Sequence, residues 1–468
     1  MIFSSLLFLF WFMPIFFLLY YLCSLGKNTN TIRNVLLFIG SIIFYAWGEP
    51  KYLILIIVSI LVNYAAGLVI NHFDQNEIMR KISLIVVILF DIGMLVIFKY
   101  TNFLIQIINQ LLHTSFSDVN ITLPLGISFY TFQIMSYVID LYRRNIKVET
   151  SLLRLGTYLV MFPQLIAGPI VVYAKVADEL KERRLSLSEI EDGLRLFILG
   201  LGSKVLLANQ TGALFDECKA LGFENLSMPL AWMGMLAFSL QIYFDFNGYS
   251  LMAIGLGKML GFHFPDNFDH PYISASITEF WRRWHITLST WFREYLYIPL
   301  GGNRKGKLLT YINLLIVWSI TGLWHGANWN FVLWGLFFFV LLMIEKLGFG
   351  VFLKKHHIFA HTYTLIAIGF SWIVFAITDL SELGIYIARL FSFQLSTSTL
   401  PLESIVYYSR NYGVILLLGC FFSTPVFRKR YDAHKQSAIV TLLLLLIVVC
   451  SVSYLADASY NPFLYFRF

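Results

Sequence analysis

Long unbroken apolar runs separated by short polar loops recur from one end of this 468-residue chain to the other. About eleven of them are long enough to cross ~30 Å of hydrocarbon as helices of roughly 20 residues. The runs are continuous rather than alternating, so they predict helices and not the strands of a membrane barrel. Three stretches break the pattern: 152–172 and 249–263 are short or interrupted by Gly and Pro, and 279–307 mixes aromatics with Arg, His and Glu. Irregular backbone at membrane depth is tolerated only where protein buries it or a wet cavity is lined by it. The pattern therefore predicts an all-α, polytopic integral membrane domain of about eleven transmembrane helices, with re-entrant helices near 152–172 and 279–300 around a central tunnel. No repeat of fixed period and no low-complexity tract divides the chain, so 1–468 reads as one domain with its motifs at about 120–348.

Composition excludes the soluble alternative. With 58% hydrophobic, 17% aromatic and 13% charged residues, the chain has too little polar surface for a water-exposed fold. The first segment, ending at Lys27, has no basic n-region and no small-residue cleavage site, and is expected to be a retained helix. Cys23, Cys218, Cys420 and Cys450 lie far apart without CxxC spacing, which predicts packing residues and no metal site. The net charge of +7 sits in short loops between spans, where positive-inside sorting and anionic lipid account for it, so no nucleic acid is expected. The basic clusters Lys27 and Arg33, Arg80 and Lys81, Arg143 to Lys147, Lys354 and Lys355, and Arg428 to Arg430 are expected on the cytoplasmic side, with the 378–411 loop outside.

Three constellations could carry chemistry. The apolar run 308–323 is too short to reach the far side, so a turn at Gly326 to Asn330 would hold His325 within the membrane beside Trp324, Asn328 and Trp329. An intramembrane ionisable residue is by default a functional hypothesis, and the bland alternative is a neutral histidine satisfied by a backbone carbonyl. Gly322 and Gly326 bracket the imidazole and are expected to leave room for a ligand, and a desolvated imidazole is neutral, as a general base requires.

In 276–307, helical spacing aligns Trp281, Trp284, Leu288, Trp291 and Tyr295 on one face and Arg282, His285, Ser289 and Arg293 on another. Such a helix is either an interfacial amphipathic element or the floor of a basic mouth for a phosphorylated cofactor, built from Arg282, Arg283, Arg293, Arg304, Lys305 and Lys307. Polar patches inside apolar helices come third: Gln133 in 124–133, and Asp245 in 241–250, where a buried carboxylate needs a partner. Trp324, Asn328, Ser289, Asp245 and Gln133 are expected to line the tunnel. Gly257 and Gly261 have GxxxG spacing for close helix contact, and no strand precedes them that would support a dinucleotide turn.

At these residues the chain resembles the membrane-bound O-acyltransferase family, in particular the bacterial subgroup of alginate and peptidoglycan O-acetylation membrane proteins. The resemblance runs through PLGISFYTFQIMSYVIDLYR (124–143), FPQLIAGPI (162–170), QIYFDFNGYS (241–250), ITEFWRRWHITLSTWFREYLYIPLGGNRKG (277–306), TGLWHGANWNFVLWG (321–335) and YNPFLYFRF (460–468). Residue by residue, the family's essential histidine falls on His325 and its second motif histidine on His285. Two positions depart from the subgroup: Leu251 where an acidic residue is usual, and Trp372-Ile-Val-Phe375-Ala376 where an arginine is expected at the last position.

The resemblance implies a multi-pass protein of the bacterial inner membrane that takes acetyl from cytoplasmic acetyl-CoA and passes it through a tunnel to a cell-envelope polysaccharide. Peptidoglycan is the first acceptor and alginate or another exopolysaccharide the second. It also implies a separate extracytoplasmic acetyltransferase partner. His325 would deprotonate the acceptor or carry the acetyl group, and His285 would orient the acyl group or its oxyanion. A secondary transporter is the rival from another class; it needs inverted repeats and a midplane ion site, and no internal repeat is present.

Overall fold

A computed structural model describes residues 1–25, 29–392, 402–457 and Leu464. Lys27, the 393–401 part of the expected outer loop and most of the YNPFLYFRF terminus lie outside the described residues. Among those described, the regular structure is helical, and nine stretches are long and apolar enough to cross a membrane. The chain is a multi-pass membrane protein. It packs as two compact units, Met1–Phe197 with Ser250–Asp266, and Ile198–Tyr249 with Asn267–Phe468.

The first unit holds the spans Phe8–Leu25, Thr29–Ala46, Pro50–His72 and Glu77–Leu112. The shorter helix Ile127–Tyr142, one of the expected runs, is buried along nearly its whole length. The interruptions anticipated in 152–172 appear as the helix Leu152–Val160 followed by the single turn Phe162–Leu165, opened by Pro163. Polar side chains pin these elements together. The guanidinium of Arg183 donates to Tyr20 Oη (2.9 Å) and Asn34 Oδ1 (2.7 Å), and Arg33 donates to the Arg183 carbonyl (3.0 Å). Two of the basic clusters meet at one place: Arg80, itself buried, and Arg144 both contact Asp74 and Glu77. The 74–80 loop and the 142–144 loop are therefore neighbours, as alternation of the spans between them requires.

Close helix contact in this unit occurs at Gly193 and Gly255. A Cβ on Gly193 would lie 2.6 Å from the Gly255 carbonyl oxygen, and one on Gly255 2.5 Å from that of Gly193. The GxxxG pair noted in the sequence is thus displaced by two residues: Gly257 instead accommodates the ring of Phe264.

The second unit carries the spans Lys307–His325, Trp329–Lys355, His357–Ala376, Ile405–Phe422 and Ala438–Asp457. It also contains most of the Met228–Met259 helix, whose Gln241 and Asp245 are buried. Its core is aromatic. Trp281 packs edge-on against Phe338 (4.8 Å between ring centroids) and Trp318 (4.9 Å), and Trp284 lies 4.7 Å from Trp372. Offset and edge-on aromatic pairs of this kind contribute about 0.5–1.5 kcal/mol each beyond their area.

Candidate active site

His325 is the last residue of the Lys307–His325 helix, and the chain reverses through Gly326 to Asn328 into the Trp329–Ile344 helix. The two helices approach closely because Gly322 and Gly335 face each other. A Cβ on Gly322 would collide with the Phe331 carbonyl oxygen, one on Gly335 with that of Trp318, and one on Gly326 with the Phe331 ring. These glycines let the hairpin close; the space expected for a ligand beside Gly322 and Gly326 is filled by Phe331 and the facing helix. The imidazole of His325 is 7% exposed and sits edge-on to Trp334 (4.9 Å), Trp324 (5.0 Å) and Phe375 (5.2 Å).

His285 is reached by a break in the 276–307 segment. The continuous helix expected from its aromatic stripe is two short ones, Ile277–Arg283 and Ile286–Phe292, and His285 between them adopts φ +43°. Left-handed backbone at a side chain bearing a Cβ costs roughly 1–2 kcal/mol, so surrounding contacts must hold it. They do: the Ile286 N–H donates to the Asn267 carbonyl (2.9 Å), and the Asp269 N–H donates to the Arg283 carbonyl (2.9 Å). On the other side, the Glu345 carboxylate accepts from the Ile277 N–H (2.6 Å), the Thr278 N–H (3.0 Å) and the Thr278 hydroxyl (2.6 Å), fixing the start of the first short helix.

The His285 ring is 1% exposed, meets Phe246 edge-on at 4.6 Å, and places Nδ1 2.9 Å from Asn267 Oδ1. Trp324 links the two histidines, 6.3 Å from His285 and 5.0 Å from His325 between ring centroids. Two imidazoles in one aromatic enclosure are groups that can accept and return protons.

The remaining predicted residues fall into three groups. Ser289 stands one turn after His285, its N–H donating to the His285 carbonyl (3.0 Å), and Asn328 opens the Trp329–Ile344 helix at the His325 turn. Asp245 neighbours Phe246 in sequence, but its carboxylate is engaged by Lys204 Nζ at 2.7 Å and by the Leu464 N–H at 2.9 Å. Both side chains of that ion pair are buried, and Lys204 also donates to Asn209 (2.8 Å). The partner anticipated as an arginine is thus a lysine. Gln133 belongs to the other unit, where its carbonyl accepts from Tyr158 Oη (3.1 Å) and Ser136 Oγ (2.6 Å).

Of the six basic residues, Arg282, Arg293, Arg304, Lys305 and Lys307 lie exposed, and Arg283 is half-buried. Arg283 bonds Asp269 (2.8 Å) and Glu279 (3.0 Å), and Arg293 bonds its neighbour Glu294 (2.9 Å). Phe246, Trp334 and Phe375, which lie in stretches the sequence marked without singling them out, and Asn267, which it did not mark, complete the surroundings of the two histidines.

Comparison with known proteins gives the family of the chain. The sequence profile of MBOAT, the membrane-bound O-acyltransferase family, matches residues 42–388, which include both histidines. Over 493 residues the chain is 37% identical to a probable alginate O-acetylase of Pseudomonas putida, with all of both chains covered. It is 32% identical over 520 residues to a peptidoglycan O-acetyltransferase of Helicobacter pylori, covering 100% of this chain and 98% of that one. A teichoic acid D-alanyltransferase of Streptococcus thermophilus matches 47% of the chain at 28% identity. The protein belongs to the membrane-bound O-acyltransferase family and is an acyltransferase that requires an acyl donor.

Proposed function

We propose that this protein is the membrane subunit of a polysaccharide O-acetylation system of the bacterial inner membrane, working as a single acyltransferase domain over 1–468. It takes acetyl from cytoplasmic acetyl-CoA and passes it through a tunnel to the outer face. The observation that carries the reading is the pair of buried imidazoles, His325 and His285, linked by Trp324 inside an aromatic enclosure. A hydroxyl is a weak nucleophile at neutral pH, and a positioned base is typically worth ~10² to 10⁴ in rate. His325 either removes the acceptor proton as the oxygen attacks the acyl carbonyl or carries the acetyl group itself, with His285 as the second group of the site.

The donor enters at the cytoplasmic mouth formed by Arg282, Arg304, Lys305 and Lys307, whose exposed cations suit the phosphates of coenzyme A, with Arg283 and Arg293 released from their carboxylates as the donor arrives. The acceptor is a cell-envelope polysaccharide reached through an extracytoplasmic acetyltransferase partner. Peptidoglycan is the first choice. Alginate or another exopolysaccharide is the second, favoured by the 37% identity to a probable alginate O-acetylase. The test is to incubate the purified protein and its partner with acetyl-labelled coenzyme A ester and each polysaccharide. Label arriving on one polysaccharide supports the reading, and label that never leaves the donor, with all components folded, refutes it.

A further inference from the structure

The side-chain oxygen of Asn267 is approached by three groups of the break at His285. Thr287 Oγ1 lies 2.8 Å away, the Thr287 N–H donates at 3.4 Å, and His285 Nδ1 lies at 2.9 Å. A backbone N–H can only donate, so the Asn267 atom it meets is the amide oxygen and not the amide nitrogen. An amide oxygen can only accept, which places the hydrogen of a neutral His285 on Nδ1. Its lone pair is then on Nε2.

We propose that Asn267 is a positioning residue of the acyl-transfer site, which fixes His285 as the Nδ1–H tautomer so that Nε2 receives the hydroxyl proton of the acyl acceptor. The inference rests on the acyl-transfer reading above and deepens it. In this tautomer a neutral His285 has no hydrogen on Nε2 to offer an oxyanion, so its role is that of proton acceptor. As the acceptor oxygen bonds to the acyl carbon, its O–H bond breaks and the proton passes to Nε2. The acyl carbon releases its former partner, either the donor thiolate or a nitrogen of His325, and that group takes the proton back. With proton transfer at His285, contact with the acyl group or its capture is the role left to His325.

Asn267 acts twice. Its side chain sets the tautomer, while its carbonyl accepts the Ile286 N–H at 2.9 Å and holds the left-handed turn that aims the ring. Among the described ring contacts, Phe246, Phe268 and Trp324 face His285 from other elements and carry no charge, and Trp324 in turn packs on His325, a titratable group at the end of the Lys307–His325 helix.

The experiment compares the pH dependence of acetyl transfer in the full-length chain with its partner, for wild type, Asn267→Asp and Asn267→Ala. A carboxylate at 267 still accepts from Nδ1 but favours the imidazolium, so the acid limb of kcat should move to higher pH, with activity recovering on the alkaline side. Asn267→Ala should lower kcat about tenfold or more with donor KM unchanged. Independently of the Asn267 variants, nitrogen NMR of histidine-labelled wild type in lipid, with the His285 signal assigned by its loss in His285→Gln, should show Nε2 unprotonated at neutral pH. An Asn267→Asp profile superimposed on wild type, or a hydrogen on Nε2 of neutral His285, overturns the inference while leaving acyl transfer intact. Failure of the acyl-transfer reading itself would look different: wild type would move no acetyl group at any pH.

Discussion

The imidazole of His325 meets the indole of Trp334 edge to face, with ring centroids 4.9 Å apart and planes 79° apart. Trp334 is fully buried and also touches Phe375 and Trp281, so it orients the histidine from a rigid wall. An edge-on pair is worth about 0.5–1.5 kcal/mol. Trp334→Phe, which keeps an aromatic face, should therefore retain more transfer than Trp334→Leu, and the leucine variant should lose about threefold to tenfold in kcat from misorientation alone. Equal turnover in the two variants, at matched folded fraction, would show that the ring does not orient His325.

The Lys204–Asp245 pair, 2.7 Å apart and buried on both sides, tests a different property. Removing one partner leaves an uncompensated charge, so Asp245→Ala should destabilise the protein by about 3–5 kcal/mol. Replacing both by apolar residues of similar size should cost less than either single change. A thermal melt series that ranks the double variant as least stable would argue that the pair does more than neutralise itself.

In the proposed donor mouth, Arg283 and Arg293 are paired with carboxylates, and Arg304 and Lys305 lie exposed. Charge reversal at Arg304 and Lys305, both exposed, should raise the donor KM more than it lowers kcat, because it removes attraction for phosphate without touching the histidines. Arg283→Ala is expected to act mainly on stability, since its guanidinium ties Asp269 and Glu279 beside the His285 turn. An unchanged donor KM in the Arg304 and Lys305 reversal would move the donor site elsewhere.

His263, in the other unit, bonds Glu179 through Nδ1 (2.7 Å) and Glu189 through Nε2 (2.8 Å). These hydrogen bonds raise its pKa above the ordinary histidine range. A raised folded value means the clasp stabilises fully at acid pH, below the unfolded value near about 6.5, and is lost as pH rises through the folded value. The melting-temperature gap between wild type and His263→Gln should therefore be wide at acid pH and narrow as pH rises through the raised folded value. A gap that widened with pH would reverse this assignment.

Much of this was legible in the chain. Continuous apolar runs identify the spanning helices, and the short 308–323 run followed by Gly326 gives the hairpin that ends at His325. The break at His285 was not legible, because Trp281, Trp284, Leu288 and Trp291 keep helical spacing across it; the left-handed turn is held by backbone hydrogen bonds to Asn267 and Asp269 in the preceding loop. Gly322 and Gly326 marked the right place but for a different reason, since glycine spacing alone does not separate room for a ligand from room for a second helix. Asn267 carried no signal because its importance lies in what it meets, and a lone asparagine in a polar loop has no period. The engagement of Arg283 and Arg293 by acidic neighbours likewise emerges only once the loops are folded.

The central claim is that acetyl transfer runs through His325, and a single substitution addresses it directly. His325→Ala, purified at equal expression with the proposed partner protein and labelled acetyl-CoA, should insert, fold and bind donor, yet deliver no measurable label to the polysaccharide, because the proposed route needs the His325 imidazole in contact with the acyl group. Replacing His285 should slow transfer less completely if water can take up the proton in its place. Near wild-type acetylation by folded His325→Ala would contradict the account and return His325 to a packing role among Trp324, Trp334 and Phe375.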